Sequence, residues 1–196
     1  MGEHSRYSVT GGEDGSVLKN KPGIIDRKDL DDTETLMLSD TYTHFLDLLE
    51  KGRLDFDVKL IFEIHRYFLK TLYEWAGSTR TVEISKGGML FCPHSQIKKQ
   101  LGEFGGILKE NIPSPVDDKK AVSQKLAVIH CELNAIHPFR EGNGRTIRVF
   151  LDLLAKNVGY NPINYSKSSP STYVKACIAG MGKDYSGMQK IIFRGL

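Results

Sequence analysis

Apolar residues recur along this chain at two different periods, and the switches between them divide it into elements. From 29 to 49, Leu30, Met37, Tyr42, Phe45, Leu48 and Leu49 share one side of a helix that Asp29 can cap and Gly52 ends. Asp55 or Asp57 starts a second helix, with Phe56, Leu60, Ile64, Phe68, Leu72 and Trp75 at mostly four-residue steps and Gly77 as its stop. The period then shortens to two: Val82 and Ile84 share a face, and Lys86-Gly87-Gly88 offers a tight turn before Met89 to Cys92. This predicts a short β-hairpin over about 79–92. A third helix is expected over 95–110 through Ile97, Leu101, Phe104 and Leu108, until Pro113 and Pro115 break the chain.

The most regular run is Val122, Leu126, Ile129, Leu133 and Ile136, which predicts a helix from Asp118 to Ile136. Pro138 disfavours helical geometry at His137 and ends it. The next helix starts near Gly144 or Arg145, buries Ile147, Phe150, Leu151, Leu154 and Val158, and stops at Gly159. Ser169-Pro170 opens another over Tyr173, Cys177 and Ile178, and Asp184 caps a last short one holding Met188, Ile191 and Ile192. Residues 1–28, punctuated by Gly11, Gly12, Gly15, Pro22 and Gly23, are expected to form an extended arm. The predicted fold class is all-α, a single domain over 29–196 made of a helical bundle that carries one hairpin.

Composition mainly excludes. At 196 residues one domain is the default, and a net charge of +3 with scattered cations gives no nucleic-acid footprint. No apolar run is long enough to span a bilayer, and residues 1–19 are polar rather than signal-like, so a cytoplasmic protein is expected. Cys92, Cys131 and Cys177 form no CxxC pair and leave an odd thiol, which argues against a disulfide framework.

What changes the picture is the connection between the two most hydrophobic helices: His137-Pro138-Phe139-Arg140-Glu141-Gly142-Asn143-Gly144-Arg145, with Arg148 one turn later. Two glycines weaken a helix by ~1 kcal/mol each relative to alanine. They also let the backbone amides of Gly142, Asn143 and Gly144 turn inward as an anion nest at a helix N-terminus. Arg145 and Arg148 share a face there and oppose the helix dipole, a placement that bound anions would offset. His137 can accept a proton from a hydroxyl near neutral pH. Glu141 is the kind of single carboxylate that holds Mg²⁺ among phosphates. Asn143 either tolerates a left-handed turn or donates its side-chain amide to a phosphate. Phe139 is expected to pin the loop into the core, and His130 is read as a core residue. No Walker A or dinucleotide-binding glycine motif occurs.

These residues match, at every position, the Fic signature H-P-F-x-[DE]-G-N-G-R, and the chain resembles the Fic family. Thr81 to Phe91 is similar to that family's hairpin flap, and Leu18-Lys19-Asn20-Lys21-Pro22-Gly23-Ile24 to its entry segment. The resemblance implies a Fic-type bundle and a magnesium-dependent protein adenylyltransferase, moving AMP from ATP to a Tyr, Ser or Thr hydroxyl of a target protein. It implies that His137 is the base and Glu141 the Mg²⁺ ligand. Gly142, Asn143 and Gly144 would bind the α-phosphate, Arg145 the β-phosphate and Arg148 the γ-phosphate. Val82, Ile84, Lys86 and Gly87 of the flap would dock the target backbone. Gly144 favours AMP transfer, because the related Doc kinases carry lysine there.

Many relatives are silenced by a helix with the pattern [ST]-x-x-x-E-[GN], whose glutamate pairs with the residue equivalent to Arg148. No glutamate of this chain fits it. The resemblance is therefore to toxin-like members controlled by a separate small antitoxin, whose targets include type II topoisomerase ATPase subunits, acting in the cytoplasm or after delivery into another cell. Two alternatives stand beside this: a Fic-fold phosphotransferase or transferase of another nucleotide, and a catalytically silent nucleotide-binding module.

Overall fold

The computed structural model describes residues 8–9, 17–86 and 89–196. Among these the expected bundle forms from seven helices: α1 (Arg27–Glu50), α2 (Val58–Leu69), α3 (Ile97–Asn111), α4 (Lys119–Ile136), α5 (Asn143–Asn157), α6 (Pro170–Met181) and α7 (Ser186–Gly195). All five residues of the regular α4 run are buried. Helix α4 lies at the centre, packed against α3, α5, α6 and α7, while α5 also packs on α1 and α2. The connection 137–142 thus joins the two helices that carry most of the core. Among the described residues, no helix is long and apolar enough to cross a membrane.

Local chemistry sets most boundaries. The carboxylates of Asp57 and Asp118 accept from Leu60 N and Ala121 N, and Ser169 accepts from Thr172 N ahead of Pro170, which are ordinary N-caps. Three expectations shift. The cap of α1 is Asp26, whose Oδ1 accepts from the amide of Asp29. Tyr185, not Asp184, occupies the N-cap of α7, although Asp184 still accepts from Ser186 N. Helix α2 ends at Leu69 instead of continuing to Trp75. Beyond it the amides of Leu72 and Tyr73 both turn back to Leu69 O. Gly77, at φ +78°, then brings the chain so near Arg66 that a Cβ would lie 2.6 Å from it.

The hairpin is present as β2 (Ile84–Lys86) and β3 (Met89–Leu90), with Ser85 opposite Leu90 and Lys86 opposite Met89. Its turn, including Gly87, lies outside the described residues. A further strand, β1 (Ser8–Val9), pairs antiparallel with β2, so the sheet order is β1-β2-β3. Residues 17–24 run against α2: Lys21 N donates to Leu72 O, and the side chain of Asn20 bonds Leu18 O, Ile24 O and Ile24 N.

Close approach of α6 to α4 is made at Gly180, where a Cβ would stand 2.4 Å from Cys131 Sγ. Gly180→Ala should therefore destabilise the protein by about 1–3 kcal/mol through overpacking. Gly102→Ala, on a face of α3 with nothing within 4 Å, should stabilise it by about 0.5–1 kcal/mol. Denaturant midpoints of the two variants check both signs.

Candidate active site

Helix α4 terminates at His137 in a left-handed conformation (φ 50°, ψ 60°), uncommon for a residue with a side chain. Pro138 makes continuation unfavourable, and the turned backbone needs support. Arg80 supplies it. Buried beside the loop, its Nε donates to His137 O at 2.9 Å and its Nη1 to Val82 O at 2.7 Å. Nη2 donates to Cys92 O and, at 3.4 Å, to Ile136 O, while the Arg80 amide donates to Pro138 O. One guanidinium therefore bonds both ends of the hairpin and the carboxyl end of α4.

The imidazole of His137 is 4% exposed and stacks on Phe91 of the flap at 3.8 Å. Its Nδ1 lies 2.9 Å from Asn134 O. A carbonyl only accepts, so Nδ1 carries the proton and Nε2 presents a lone pair. Burial, followed by the nearby charges of Arg80 and Lys86, depresses its pKa to about 3, so the ring is neutral at pH 7.

A second buried histidine braces the next stretch. His65 of α2 accepts from Gly77 N at Nδ1, so its Nε2–H donates to Glu141 O at 3.0 Å. Its ring stacks on Phe139 at 3.7 Å, and Phe139 is buried as expected. Asn143 closes the loop: Oδ1 accepts from Phe139 N and Nδ2 donates to Phe139 O, each at 2.8 Å. The side chain that either formed a turn or reached a phosphate thus holds the loop shut, which leaves one Nδ2 hydrogen and the backbone amide of Asn143 for an anion. Gly142 caps α5 at φ +80°, where a Cβ would meet Leu69 at 2.8 Å, so only glycine fits.

Around the N-terminus of α5 the charges are paired. Glu141 accepts from Gly142 N at 2.9 Å, and burial raises its pKa. Arg145 bonds Glu34 of α1 at 2.6 Å and stands 3.6 Å from Glu141. Arg148 lies between the rings of Tyr165 and Tyr173, about 5 Å from each. A Cβ at Gly144 would point into open space. The flap residues separate: Ile84 is buried, Val82 and Lys86 are half-buried, and Leu90 of β3 is 67% exposed. No group of three or more His, Cys, Asp or Glu suited to a metal occurs among the described residues. Glu141 alone fits a magnesium ion that takes its other ligands from phosphates and water.

The arrangement is a neutral imidazole with a lone pair at the margin of a helix N-terminus that carries two arginines. Its Nε2 can take a proton from a hydroxyl once the negative charge of a bound polyphosphate raises its basicity. A model of the Fic/DOC family matches residues 55–155, from just before α2 to the end of α5. The chain belongs to the Fic/DOC family. It is similar, at 34% identity over 91% of its length, to the probable protein adenylyltransferase y4lH of Sinorhizobium fredii, 90% of which it covers. It is 32% identical over 92% of its length to protein adenylyltransferase VbhT of Bartonella schoenbuchensis, but spans 37% of that protein. Among solved structures, BepC of Bartonella tribocorum with bound AMPPNP superposes with a TM-score of 0.75 at 25% identity, covering 93% of this chain and 94% of that one. The N-terminal FIC domain of Bep8 from Bartonella sp. 1-1C gives 0.75 at 26% identity, covering 91% and 89%.

Several residues that build this Fic site carry no local sequence signal. Arg80, His65 and Glu34 are brought to the loop by tertiary packing, from as far as 111 positions away for the Glu34–Arg145 pair. Arg80→Met should leave buried carbonyls of both hairpin and α4 unbonded and destabilise the fold by roughly 3 kcal/mol or more, read from urea midpoints.

Burial also lowers His130 to about 3 and His65 to about 4. Below pH 6.5 the unfolded chain binds protons that these three histidines refuse, so stability falls as pH drops toward 4. Asp152, raised by burial to about 6, acts in the opposite sense. Burial of Glu141 does the same. Between pH 7 and 5 the histidines dominate, each contributing about 2 kcal/mol of loss against about 1 kcal/mol returned by Asp152. Unfolding free energies at the two pH values should differ with that sign.

Proposed function

We propose that the chain is a protein adenylyltransferase that transfers AMP from ATP to a hydroxyl side chain of a target protein. The observation that carries this reading is the tautomer of His137. With Nδ1–H held by Asn134 O, the acceptor is Nε2, on a ring that stacks on the flap and stands one loop ahead of the anion-favouring start of α5. The names of the relatives and the ATP analogue bound to BepC support the same chemistry.

His137 Nε2 takes the proton of the target hydroxyl as its oxygen bonds to the α-phosphorus. The bond from that phosphorus to the α–β bridging oxygen breaks, and pyrophosphate leaves. Of the three nest amides that of Gly142 is taken by Glu141, and the first-turn amides of Asn143 and Gly144, which have no partner within the helix, receive the α-phosphate charge. Arg145 takes the β-phosphate and Arg148 the γ-phosphate. Glu141 would hold magnesium, which neutralises charge on the phosphates when bound. The open space at Gly144 leaves room for a phosphate that a longer side chain would fill.

The flap orders the target by strand addition, which aligns the hydroxyl for attack. With β1 on one side of β2 and β3 on the other, the edges of the described sheet are β1 and β3, and Leu90 of β3 is exposed. Of the flap residues expected to dock the target, Ile84 is buried and fixes the flap to the domain, Lys86 lies on the central strand β2, and Val82 precedes it. A separate small antitoxin as the controlling partner, and the cytoplasm as its site of action, belong to the same proposal.

Incubation of a bacterial lysate with the protein and either α-labelled or γ-labelled ATP is the test. Label from the α position alone should stay on a target band, and retention of γ label would sink AMP transfer in favour of phosphotransfer. His137→Ala should cut transfer by at least about 100-fold with nucleotide binding nearly intact. Wild-type rates in that variant would remove the base assignment.

A further inference from the structure

Arg145 has a carboxylate against it from each of two elements. Glu141 precedes it by four residues and stands 3.6 Å away, whereas Glu34 comes from α1 and bonds at 2.6 Å. Glu34 shares the buried side of α1 with Leu30, Thr41 and Phe45, a place where an ionisable group is costly unless paired. Its side chain is 4% exposed against 29% for Arg145. Its other oxygen accepts from Tyr73 at 3.3 Å, and the ring of Phe68 lies 5.0 Å from the guanidinium carbon. Glu34 is thus fixed on the protein side of the pair, and the solvent-facing partner is the arginine. A carboxylate that mimicked a phosphate would stand on the opposite, open side.

Glu34 also escapes the pattern associated with inhibitory glutamates, since Leu30 lies four before it and Thr35 follows. It precedes the stretch 55–155 matched by the family model. Without it, the carboxylate next in reach of Arg145 is Glu141. That pairing would occupy both the cation meant for a phosphate and the carboxylate meant for the metal.

We propose that Glu34 is a positioning residue for nucleotide binding: it draws Arg145 back from Glu141 and sets the guanidinium beside the N-terminus of α5. The inference rests on the adenylyltransferase reading and adds a residue to its nucleotide site.

The experiment is calorimetric titration with AMPPNP and magnesium of the wild type, Glu34→Gln, Arg145→Ala and the double variant. Glu34→Gln keeps the shape and the Tyr73 bond but removes the charge. It should bind about tenfold more weakly, the loss expected when one charge-assisted hydrogen bond that sets a ligand-binding side chain goes. In the Arg145→Ala background the same change should add nothing, a non-additivity that a merely structural role would not produce. Thermal melting confirms that each variant is folded. If Glu34→Gln does not fold, Tyr73→Phe takes its place, with about twofold weaker binding and the same non-additivity expected.

Unchanged affinity in Glu34→Gln, or an equal loss in both backgrounds, overturns the inference and leaves the nucleotide site standing. Tighter binding also overturns it, making Glu34 a competitor of the phosphate. No binding by the wild type overturns the nucleotide site and this inference together.

Discussion

A helix that ends inside a protein leaves its last carbonyls without partners, and buried carbonyls must be bonded to something. In this chain that constraint falls on α4, whose carboxyl end is enclosed by the hairpin and the loop 137–142. Arg80 meets it, bonding Ile136 O and His137 O with its side chain and Pro138 O with its amide. The same guanidinium bonds Val82 O and Cys92 O, at the two ends of the hairpin. Satisfying one helix end therefore fixes three things together: the left-handed turn at His137, the direction of its ring, and the position of the flap that stacks on it.

The other half of the site depends on a separate set of bonds. His65, Phe139 and Asn143 close the loop on itself, so that Gly142 can turn into α5 and expose its first amides. Charges are then arranged by burial. Glu34 lies deepest, Arg145 faces outward from it, and Glu141 sits beside both. The base and the anion-binding groups are mounted on consecutive elements but braced from different directions, by the hairpin root on one side and by α1 and α2 on the other. On the proposed reading, this division keeps the proton acceptor neutral beside the phosphates.

Much of this was legible in the sequence because it is local. The α4 run, the Asp57, Asp118 and Ser169 caps, the hairpin and the order of base, glycines and arginines all follow from periodicity or from spacing within one segment. What stayed hidden is non-local. Helix α2 stops at Leu69 although its apolar spacing continues to Trp75: Leu72 and Tyr73 join a small core with Leu30, Phe68 and Leu69, against which both the entry segment and Trp75 pack. Asn143 was readable as a turn former or a phosphate donor, and only the distance to Phe139 decides its side chain for the loop. No glutamate of the chain fits the inhibitory pattern, yet Glu34 reaches the site from α1, where no motif marks it. Strand β1 on the flap edge likewise depends on a pairing across 75 positions, from Val9 to Ile84 at the closest, that periodicity cannot show.

The central claim is that His137 is a neutral imidazole whose proton is on Nδ1, leaving Nε2 as the acceptor. Nitrogen-15 chemical shifts of the imidazole, assigned by comparison with His137→Ala and followed from pH 8 to 5, test it directly. The account predicts a protonated Nδ1, an unprotonated Nε2 and no titration across that range. A proton on Nε2 at neutral pH, or conversion to imidazolium with a pKa near the ordinary 6.5, would contradict it.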